Sequence, residues 1–261
     1  MNKDLKEKFG FTLAEGATHV GIFHNTRRVG FTLAEVLITL GIIGIVSAMT
    51  IPTLVKNYQE KILVNKAKQA DAQIKNAVKM YMAKNECYDK ITCLFDTNKT
   101  SHQVVQELAT VFKSAEVCPD VSNSQQKKKC KQYNVKGNTP AKLNGKYING
   151  DALKTTRIIL KNNMILVVDQ LDSCHRIVES KVKDEFGYET GEIRLREDNK
   201  CARLYVDTNG IDSPNQFGRD VYRYDISSDG TIKDPFGYIN APLKENKLKY
   251  TDYEIGADVT Q

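Results

Sequence analysis

One apolar run sets the strongest limit on what this chain can fold into. Residues 36–55 carry no charged side chain, and a helix of that length crosses most of a bilayer. Arg27 and Arg28 come shortly before the run, so the positive-inside rule places the N-terminus in the cytoplasm and the chain after Lys56 on the other side. The sequence therefore predicts a single-pass membrane anchor followed by an exported part.

The cysteines agree with export. All six follow the apolar run, and an even number on one side of a membrane is typical of an oxidising compartment. Zinc is the alternative for some of them, although no two are spaced as Cys-x-x-Cys. Disulfides between neighbours in sequence are one hypothesis among many pairings. That hypothesis joins Cys87 to Cys93, Cys118 to Cys130, and Cys174 to Cys201.

Glu35 is unexpected in an ordinary anchor. It lies one turn inside the predicted helix, where an unpaired carboxylate costs about 3 kcal/mol in lipid. Cleavage before Phe31 would create an α-amino group within reach of Glu35 on the same or a neighbouring chain. The sequence from Gly30 to Glu35 is Gly-Phe-Thr-Leu-Ala-Glu. Together with the apolar helix, it resembles the class III signal of type IV prepilins and type II secretion pseudopilins.

The resemblance implies how the chain is processed and where it acts. A prepilin peptidase would cut after Gly30 and methylate the new N-terminal Phe31, and Glu35 would set the register between subunits. Such proteins place helix-weakening residues in the anchor, and the matching positions here are Gly41, Gly44 and Pro52. The implied partners are sibling subunits of a homo- or hetero-filament and an assembly platform with its ATPase. The implied location is the bacterial inner membrane, with an extracytoplasmic filament after assembly.

Residues 1–30 would be a cytoplasmic leader that is removed. The leader holds a second copy of the motif, from Gly10 to Glu15. The chain after that copy is too polar and too short to enter a bilayer, so the copy cannot serve as an anchor. Its role stays open, as does whether the peptidase also cuts after Gly10.

An ordinary secretory signal is the alternative for this region. Val46, Ser47 and Ala48 resemble the small-residue site of a signal peptidase, and cleavage after Ala48 would release a soluble protein that begins at Met49. We prefer the prepilin interpretation because an ordinary signal leaves Glu35 in its apolar region unexplained.

The expected fold class is α+β and pilin-like, with a long N-terminal helix, half in the membrane and half amphipathic, packed on a twisted antiparallel sheet. Residues 31–55 would be the membrane and assembly helix, and residues 56–261 the exported head. A single helix from Thr32 to Lys84 would be about 80 Å long. Its predicted core-facing stripe consists of Val55, Tyr58, Ile62, Ala70, Ile74, Ala77, Val78 and Tyr81.

The head divides into three stretches. Residues 56–85 continue the helix, residues 86–150 form a loop-rich, disulfide-stapled insertion, and residues 151–261 form the sheet and a C-terminal loop. A short helix is predicted from Ser101, as its cap, to Lys113. Period-two patterns predict strands over Thr155 to Leu160, Met164 to Val168, Glu192 to Leu195, Ala202 to Val206 and Tyr222 to Ile226.

The acidic loop, residues 207–220, gathers oxygen-bearing side chains around two glycines and a proline. Such ligands on a tight loop suit Ca²⁺, although the spacing is not that of an EF-hand. The loop resembles the calcium-binding loop near the C-terminus of many major pseudopilins. The predicted ligands are Asp207, Asn209, Asn215 and Asp220, with a backbone carbonyl near Ile211. The alternative is a metal-free turn between two strands, in which the Asp and Asn side chains bond their own backbone. Arg219 could also neutralise the cluster without a metal.

No catalytic motif stands out, and no cofactor beyond Ca²⁺ is expected. An enzyme would have to use His102 or His175, and we predict that the chain is not one. The predicted function is a structural subunit, major or minor, of a pilus or a secretion pseudopilus. The alternative is a binding module for DNA uptake or adhesion on such a filament, supported by Lys127 to Lys129. A net charge of +6 spread over a mixed surface makes a nucleic-acid partner the weaker option.

Overall fold

The computed structural model describes residues 30–87, 90–119, 128–137, 142–143, 146–147, 152–154, 156–186 and 188–253. The predictions for the leader, for its second motif copy and for Lys127 lie outside these residues. The chain divides into two compact units, Met1–Ile51 and Pro52–Gln261, and each is described by itself.

Helix α1 runs from Leu33 to Lys84 and continues past Pro52, in agreement with the predicted Thr32 to Lys84. In the first unit its apolar side chains are exposed: Leu37, Ile43 and Ile45 each show more than half of their surface. By length and composition this helix could cross a membrane. A helix whose exposed side chains are apolar all round is typical of one that lipid or other chains surround.

In the second unit, the buried stripe of α1 starts later than the sequence predicted. Val55, Tyr58 and Ile62 are exposed, and burial begins at Val64. The buried positions of α1 are Val64, Ala67, Ala70, Asp71, Ile74, Ala77, Val78 and Tyr81. Three alanines in this stripe let the helix axis approach the sheet closely, and the carboxylate of Asp71 accepts a hydrogen bond from the Tyr224 hydroxyl at 3.1 Å. The spacing was therefore right, but Val55, Tyr58 and Ile62 are not part of the core.

Twelve strands are found in the described residues. They are β1 Glu116–Val117, β2 Tyr133–Asn134, β3 Lys142–Leu143, β4 Lys146–Tyr147, β5 Ala152–Leu153, β6 Arg157–Ile159, β7 Ile165–Gln170, β8 Arg176–Lys183, β9 Glu189–Asp198, β10 Lys200–Asp207, β11 Val221–Ser227 and β12 Ile232–Lys233. The main sheet has the order β1-β6-β7-β10-β11-β12 and is antiparallel throughout. Three further two-stranded sheets pair β2 with β5, β3 with β4, and β8 with β9. Together with α1 and three disulfides, the main sheet gives the predicted α+β, pilin-like layout.

The main sheet is buried on both faces. Leu166 and Val168 of β7 pack in the cluster that contains α1, whereas Ile165 and Val167 pack in a second cluster with Cys118 and its neighbours. A continuous apolar run such as that of β7 is typical of a strand covered on two sides. The face of the main sheet opposite α1 is covered by the disulfide-stapled insertion, which therefore contributes core residues as well as loops.

One predicted strand lies elsewhere. Residues 192–195 were expected in the main sheet, but β9 pairs only with β8, and nine of its ten residues are exposed. The place beside β7 is taken by β10, whose Ala202, Leu204 and Val206 are fully buried. The alternating pattern of β9 has the period of a strand, but period alone does not determine which neighbour a strand pairs with. Strand β8 was not predicted.

Helix α2, Ser101–Ala109, is capped by Thr100 and not by Ser101. The Thr100 hydroxyl accepts from the Gln103 amide, and the Gln103 side chain accepts from the Thr100 amide at 2.8 Å, which completes a capping box. The Ser101 hydroxyl instead accepts from the amide of Gln170 at 3.0 Å and ties α2 to β7. The helix ends at Ala109, before the predicted Lys113.

Three shorter helical segments complete the described part of the chain. Two are 3-10 turns at Ile91–Cys93 and Lys128–Cys130, and the third is a π-helix at Ala241–Glu245. Each 3-10 turn ends on a disulfide-bonded cysteine.

All six cysteines are paired as neighbours in sequence: Cys87–Cys93, Cys118–Cys130 and Cys174–Cys201. This agrees with the disulfide hypothesis and leaves no thiol for zinc.

Replacing Cys118 and Cys130 together with alanine should lower the free energy of unfolding by about 2–3 kcal/mol, because the crosslink spans 12 residues and staples the second core cluster. Denaturant unfolding of the full chain in detergent measures this. The matched control removes Cys87 and Cys93, whose crosslink spans 6 residues, and should cost less. An equal or larger loss in the control would contradict the expectation.

Candidate functional site

The first candidate site surrounds the start of α1. Gly30 and Phe31 precede the helix, and both are exposed, Phe31 to 87 %. The peptide bond between them is therefore open to a peptidase. Glu35 lies in the first turn of the helix, four residues after Phe31.

Thr32 is the partner of Glu35 within the chain. One carboxylate oxygen of Glu35 accepts from both the amide and the hydroxyl of Thr32, each at 2.8 Å, and the Thr32 hydroxyl accepts from the Glu35 amide at 3.2 Å. This is a capping box, and the Thr-x-x-Glu spacing could have revealed it from the sequence. The Glu35 carboxylate thus has hydrogen-bond partners within its own chain.

The two anchor glycines leave space around the helix. A Cβ atom added at Gly41 or Gly44 would meet no atom within 4 Å. Nothing in the single chain therefore requires glycine at these positions, which agrees equally with close packing against another helix and with a generic membrane helix. Pro52 lies inside α1, and the helix continues through it.

The second candidate site is the acidic loop, which connects β10 to β11. Asp207 ends β10, and Asp220 directly precedes β11, so the antiparallel pairing of Asp207 with Val221 brings the two carboxylates together. Both residues are fully buried. Asp220 accepts from the amides of Asn215 and Gln216 at 2.8 and 2.7 Å.

Gly218 allows the acidic loop to pack against the C-terminal segment. Its φ is +81°, and a Cβ there would lie 1.9 Å from the carbonyl oxygen of Lys249. The Lys249 amide donates to the Gly218 carbonyl at 3.3 Å. The peptide bond between Ser213 and Pro214 is cis.

Burial raises the pKa of Asp220 to about 6. Burial, followed by the negative charge of Asp220, raises the pKa of Asp207 well above its usual range. Hydrogen bonds from loop amides to both carboxylates, and from the Tyr133 hydroxyl to Asp207, lower these pKa values in part. A cation between the two carboxylates would further favour their ionised forms.

Among the described residues, several oxygen atoms without hydrogen-bond partners belong to residues that are close to Asp207 or Asp220 in sequence. The side-chain amide nitrogens of Asn209 and Asn215 donate to loop carbonyls, including that of Ile211, at 2.9–3.0 Å. Their Oδ1 atoms, and the hydroxyl oxygen of Thr208, are buried without a hydrogen-bond partner among the residues that the structure describes. Oxygens of this kind are what Ca²⁺ prefers as ligands, and their lack of partners fits a bound cation. Thr208 was not predicted. The Ile211 carbonyl, which was also a predicted ligand, accepts a hydrogen bond from the Asn215 side chain.

Arg219 does not pair with the carboxylates at contact distance. Its guanidinium carbon lies 4.7 Å from the centroid of the Tyr250 ring. Its positive charge is only the last of the influences that lower the pKa of Asp220. Arg219 therefore does not neutralise the cluster through a direct ion pair. The side-chain-to-backbone hydrogen bonds of the metal-free alternative are nevertheless present, since Asp207 accepts from the Asn209 amide at 3.2 Å and Asn215 donates to the Ile211 carbonyl at 2.9 Å.

Sequence reasoning missed two residues beside Asp207. The Tyr133 hydroxyl donates to the Asp207 carboxylate at 2.7 Å, and the guanidinium carbon of the fully buried Arg157 lies 5.2 Å from the Tyr133 ring centroid. Arg157 donates to the carbonyls of Lys129, Leu153 and Lys154. These residues are far from the acidic loop in sequence, so no local pattern could have placed them there.

The residues singled out for other chemistry have ordinary surroundings. An imidazole nitrogen of His102 lies 3.1 Å from the Gln106 amide nitrogen, and Nδ1 of His175 lies 2.7 Å from the Asn199 amide oxygen. Cys174 is in a disulfide. Among the described residues, no three His, Cys, Asp or Glu side chains form a metal site. A cation at the acidic loop would therefore need amide and hydroxyl oxygens besides its two carboxylates.

Comparison with known proteins bears on the first site. Residues 27–51 match the family model described as the prokaryotic N-terminal methylation motif. No curated protein and no solved structure matched the chain. The chain thus carries a class III signal, the processing signal of type IV pilins and pseudopilins. The motif supports a pilin-like or pseudopilin subunit, and proteins of this motif family are structural.

Proposed function

We propose that the chain is a filament subunit of a type II secretion or type IV pilus system. It is cut after Gly30, methylated on Phe31, held in the inner membrane by residues 31–55, and assembled by packing of α1 with Glu35 in register. The observation that carries the proposal is the match of residues 27–51 to the methylation motif, which overlaps the apolar start of α1.

The anchor and the head support this proposal in different ways. The apolar side chains of the first unit find no cover within their own chain, and helix packing in lipid and then in a filament would provide it. Arg27 and Arg28 favour a cytoplasmic N-terminus, and three disulfides suit a head outside the cytoplasm. The motif implies a prepilin peptidase and other pilin subunits as partners. An assembly platform with its ATPase is part of the proposal.

We further propose that the acidic loop binds one Ca²⁺ ion. Asp207 and Asp220 would supply the negative charge, and the unpaired Oδ1 atoms of Asn209 and Asn215 would complete the shell together with the Thr208 hydroxyl. Bound calcium would neutralise the two carboxylates and hold β10 and β11 at the end where the loop joins them. Its role is structural, since the described part of the chain places no reacting group there.

The N-terminal sequence and intact mass of the membrane-bound protein from its host test the proposed processing. We expect a methylated Phe31 at the N-terminus and a gain of mass on reduction that corresponds to three disulfides. A chain that begins at Met49 would instead establish the ordinary secretory signal and remove the filament proposal.

A matched pair of variants makes this test specific. Gly30→Val should leave the chain with its leader, because a β-branched residue replaces the glycine of the signal next to the anchor. Gly10→Val changes the second copy of the motif in the same way and should leave the Phe31 terminus unchanged. Normal processing of Gly30→Val would contradict cleavage after Gly30.

A further inference from the structure

Strands β8 and β9 form a two-stranded ribbon that packs against little else. The ribbon, residues 176–198, is hydrogen-bonded internally from Arg176↔Asp198 to Lys183↔Glu189, and its strands belong to no larger sheet. An isolated two-stranded sheet in water is marginally stable, and a third strand or a packed face is normally needed. Among the described residues, the ribbon therefore lacks the third strand or packed face that would stabilise it.

The two faces of the ribbon differ in chemistry. Residues paired across antiparallel strands share a face, so Ile177 with Glu197, Glu179 with Leu195, and Lys181 with Ile193 lie on one side. On this acidic face, Ile177, Ile193 and Leu195 are 66, 60 and 63 % exposed. Lys181 is already paired with Glu189 at 2.7 Å, which leaves Glu179 and Glu197 as the free charges among the described contacts. The opposite face carries Arg176, Val178, Arg194 and Arg196.

A groove elsewhere on the head has complementary chemistry. This lysine groove lies between α1, the chain after α2 and the turn between β6 and β7, and it encloses about 370 Å³. Its apolar lining includes Met80, Phe112 and Leu160, and its charged residues are Lys113 and Lys161. None of the described residues that line the groove is acidic. Both lysines are exposed and form no ion pair with the described residues.

We propose that the acidic face of the ribbon of one copy docks into the lysine groove of another copy of this chain. Ile177, Ile193 and Leu195 would enter the apolar groove, and Glu179 and Glu197 would meet Lys113 and Lys161. Like the filament itself, this contact joins two different patches, and such a heterologous contact can repeat without closing. The proposal rests on the proposed function because a shared membrane holds the copies at high local concentration.

The charges favour a protein over a lipid or nucleic-acid surface. The ribbon holds five basic and seven acidic residues, and Asp184 and Glu185 lie at its turn beside the exposed Phe186. Anionic headgroups and phosphates would repel this turn and the acidic face. A groove with two free lysines and no acid is the better match.

Photo-crosslinking of the full chain in bacterial membranes tests the contact. Replacing Leu195 with p-benzoylphenylalanine should give a crosslinked dimer whose second peptide maps to residues 69–80, 111–113 or 160–162. The matched control carries the same photoprobe at Val178, on the opposite face, and should give no adduct in the groove. Adducts from Leu195 only to lipid, to other proteins or to other parts of the chain would overturn the proposal, as would the absence of an adduct.

A charge-reversal cycle tests the same contact independently. Glu179→Lys with Glu197→Lys, or Lys113→Glu with Lys161→Glu, should each reduce the dimer yield roughly tenfold, because like charges would face each other. Combining all four changes should restore the yield. All four side chains are exposed, so folding should be unaffected. Unchanged yields in the two double variants, or no recovery in the combined variant, would overturn the proposal. A methylated Phe31 terminus without this crosslink would leave the proposed function standing and remove only the docking contact.

Discussion

Glu35→Leu should be cleaved and anchored normally but should lose filament assembly. After cleavage, the ammonium group at Phe31 would enter a packed, apolar helix bundle without the carboxylate that neutralises it. Leaving one member of a buried ion pair alone costs about 3–5 kcal/mol. Since about 1.4 kcal/mol is a factor of ten, assembled protein should fall by about a hundredfold or more. Sheared filaments, compared with the membrane fraction by immunoblot, measure the ratio.

Thr32→Ala is the matched control for Glu35→Leu. It removes both side-chain contacts of the capping box, which costs about 1 kcal/mol of helix stability, but leaves the carboxylate that pairs with the ammonium group. Assembly should fall by no more than about fivefold. If Thr32→Ala lost assembly as completely as Glu35→Leu, the cap within the chain, and not the pairing with Phe31, would be the function of Glu35. If Glu35→Leu assembled normally, the register role would be wrong.

Calcium should raise the thermal midpoint of the full chain in detergent by roughly 5–10 °C, and Asp220→Asn should abolish the increase. A ligand at a hundred times its dissociation constant stabilises the folded state by about 2.7 kcal/mol, and each kcal/mol moves the midpoint of a domain of this size by about 2–4 °C. Asp220 is fully buried and each of its carboxylate oxygens accepts from a backbone amide, and Asp220→Asn removes its negative charge, on which attraction of a cation would depend. Scanning calorimetry with calcium and with chelator measures the shift.

Asp212→Asn is the control for the calcium experiment. Asp212 lies on the same acidic loop but is exposed, so its carboxylate should contribute little to the site. The calcium shift should persist in this variant. If calcium did not raise the thermal midpoint of the native chain, or if both variants lost the increase equally, the acidic loop would be a metal-free turn. Magnesium serves as a further control, because its smaller octahedral shell suits this oxygen set less well.

The N-terminal site could be predicted almost completely from the sequence. The apolar run, the Gly-Phe-Thr-Leu-Ala-Glu segment and the two arginines are contiguous, and helix formation in an anchor depends on residues close in sequence. The disulfides were predictable only as one pairing among many, and the structure selects the one in which each cysteine pairs with the next along the chain. The contact between Thr32 and Glu35 could also have been predicted, because their spacing in sequence is that of a capping box.

The acidic loop could be predicted only in part. Its carboxylates and amides are recognisable because they lie within a few residues of one another. Their burial, the unpaired Oδ1 atoms, and the contact of Tyr133 with Asp207 depend on strands that meet only in the folded head. The separation of Tyr133 from Asp207 in sequence is 74 residues, beyond the reach of any local pattern.

The sequence by itself determined the apolar helix, its charged residue, the helix that follows and the cluster of oxygen-bearing side chains in the acidic loop, because each depends on periodicity or on neighbours in the chain. Only the tertiary structure decided that β10 takes the place beside β7 and that β9 leaves the main sheet to form the ribbon with β8. It also decided that the core-facing stripe of α1 begins at Val64. Distant segments compete to pair with the same strand and to bury their side chains against the same apolar surface. A local sequence pattern gives the period of a segment but does not identify its partner.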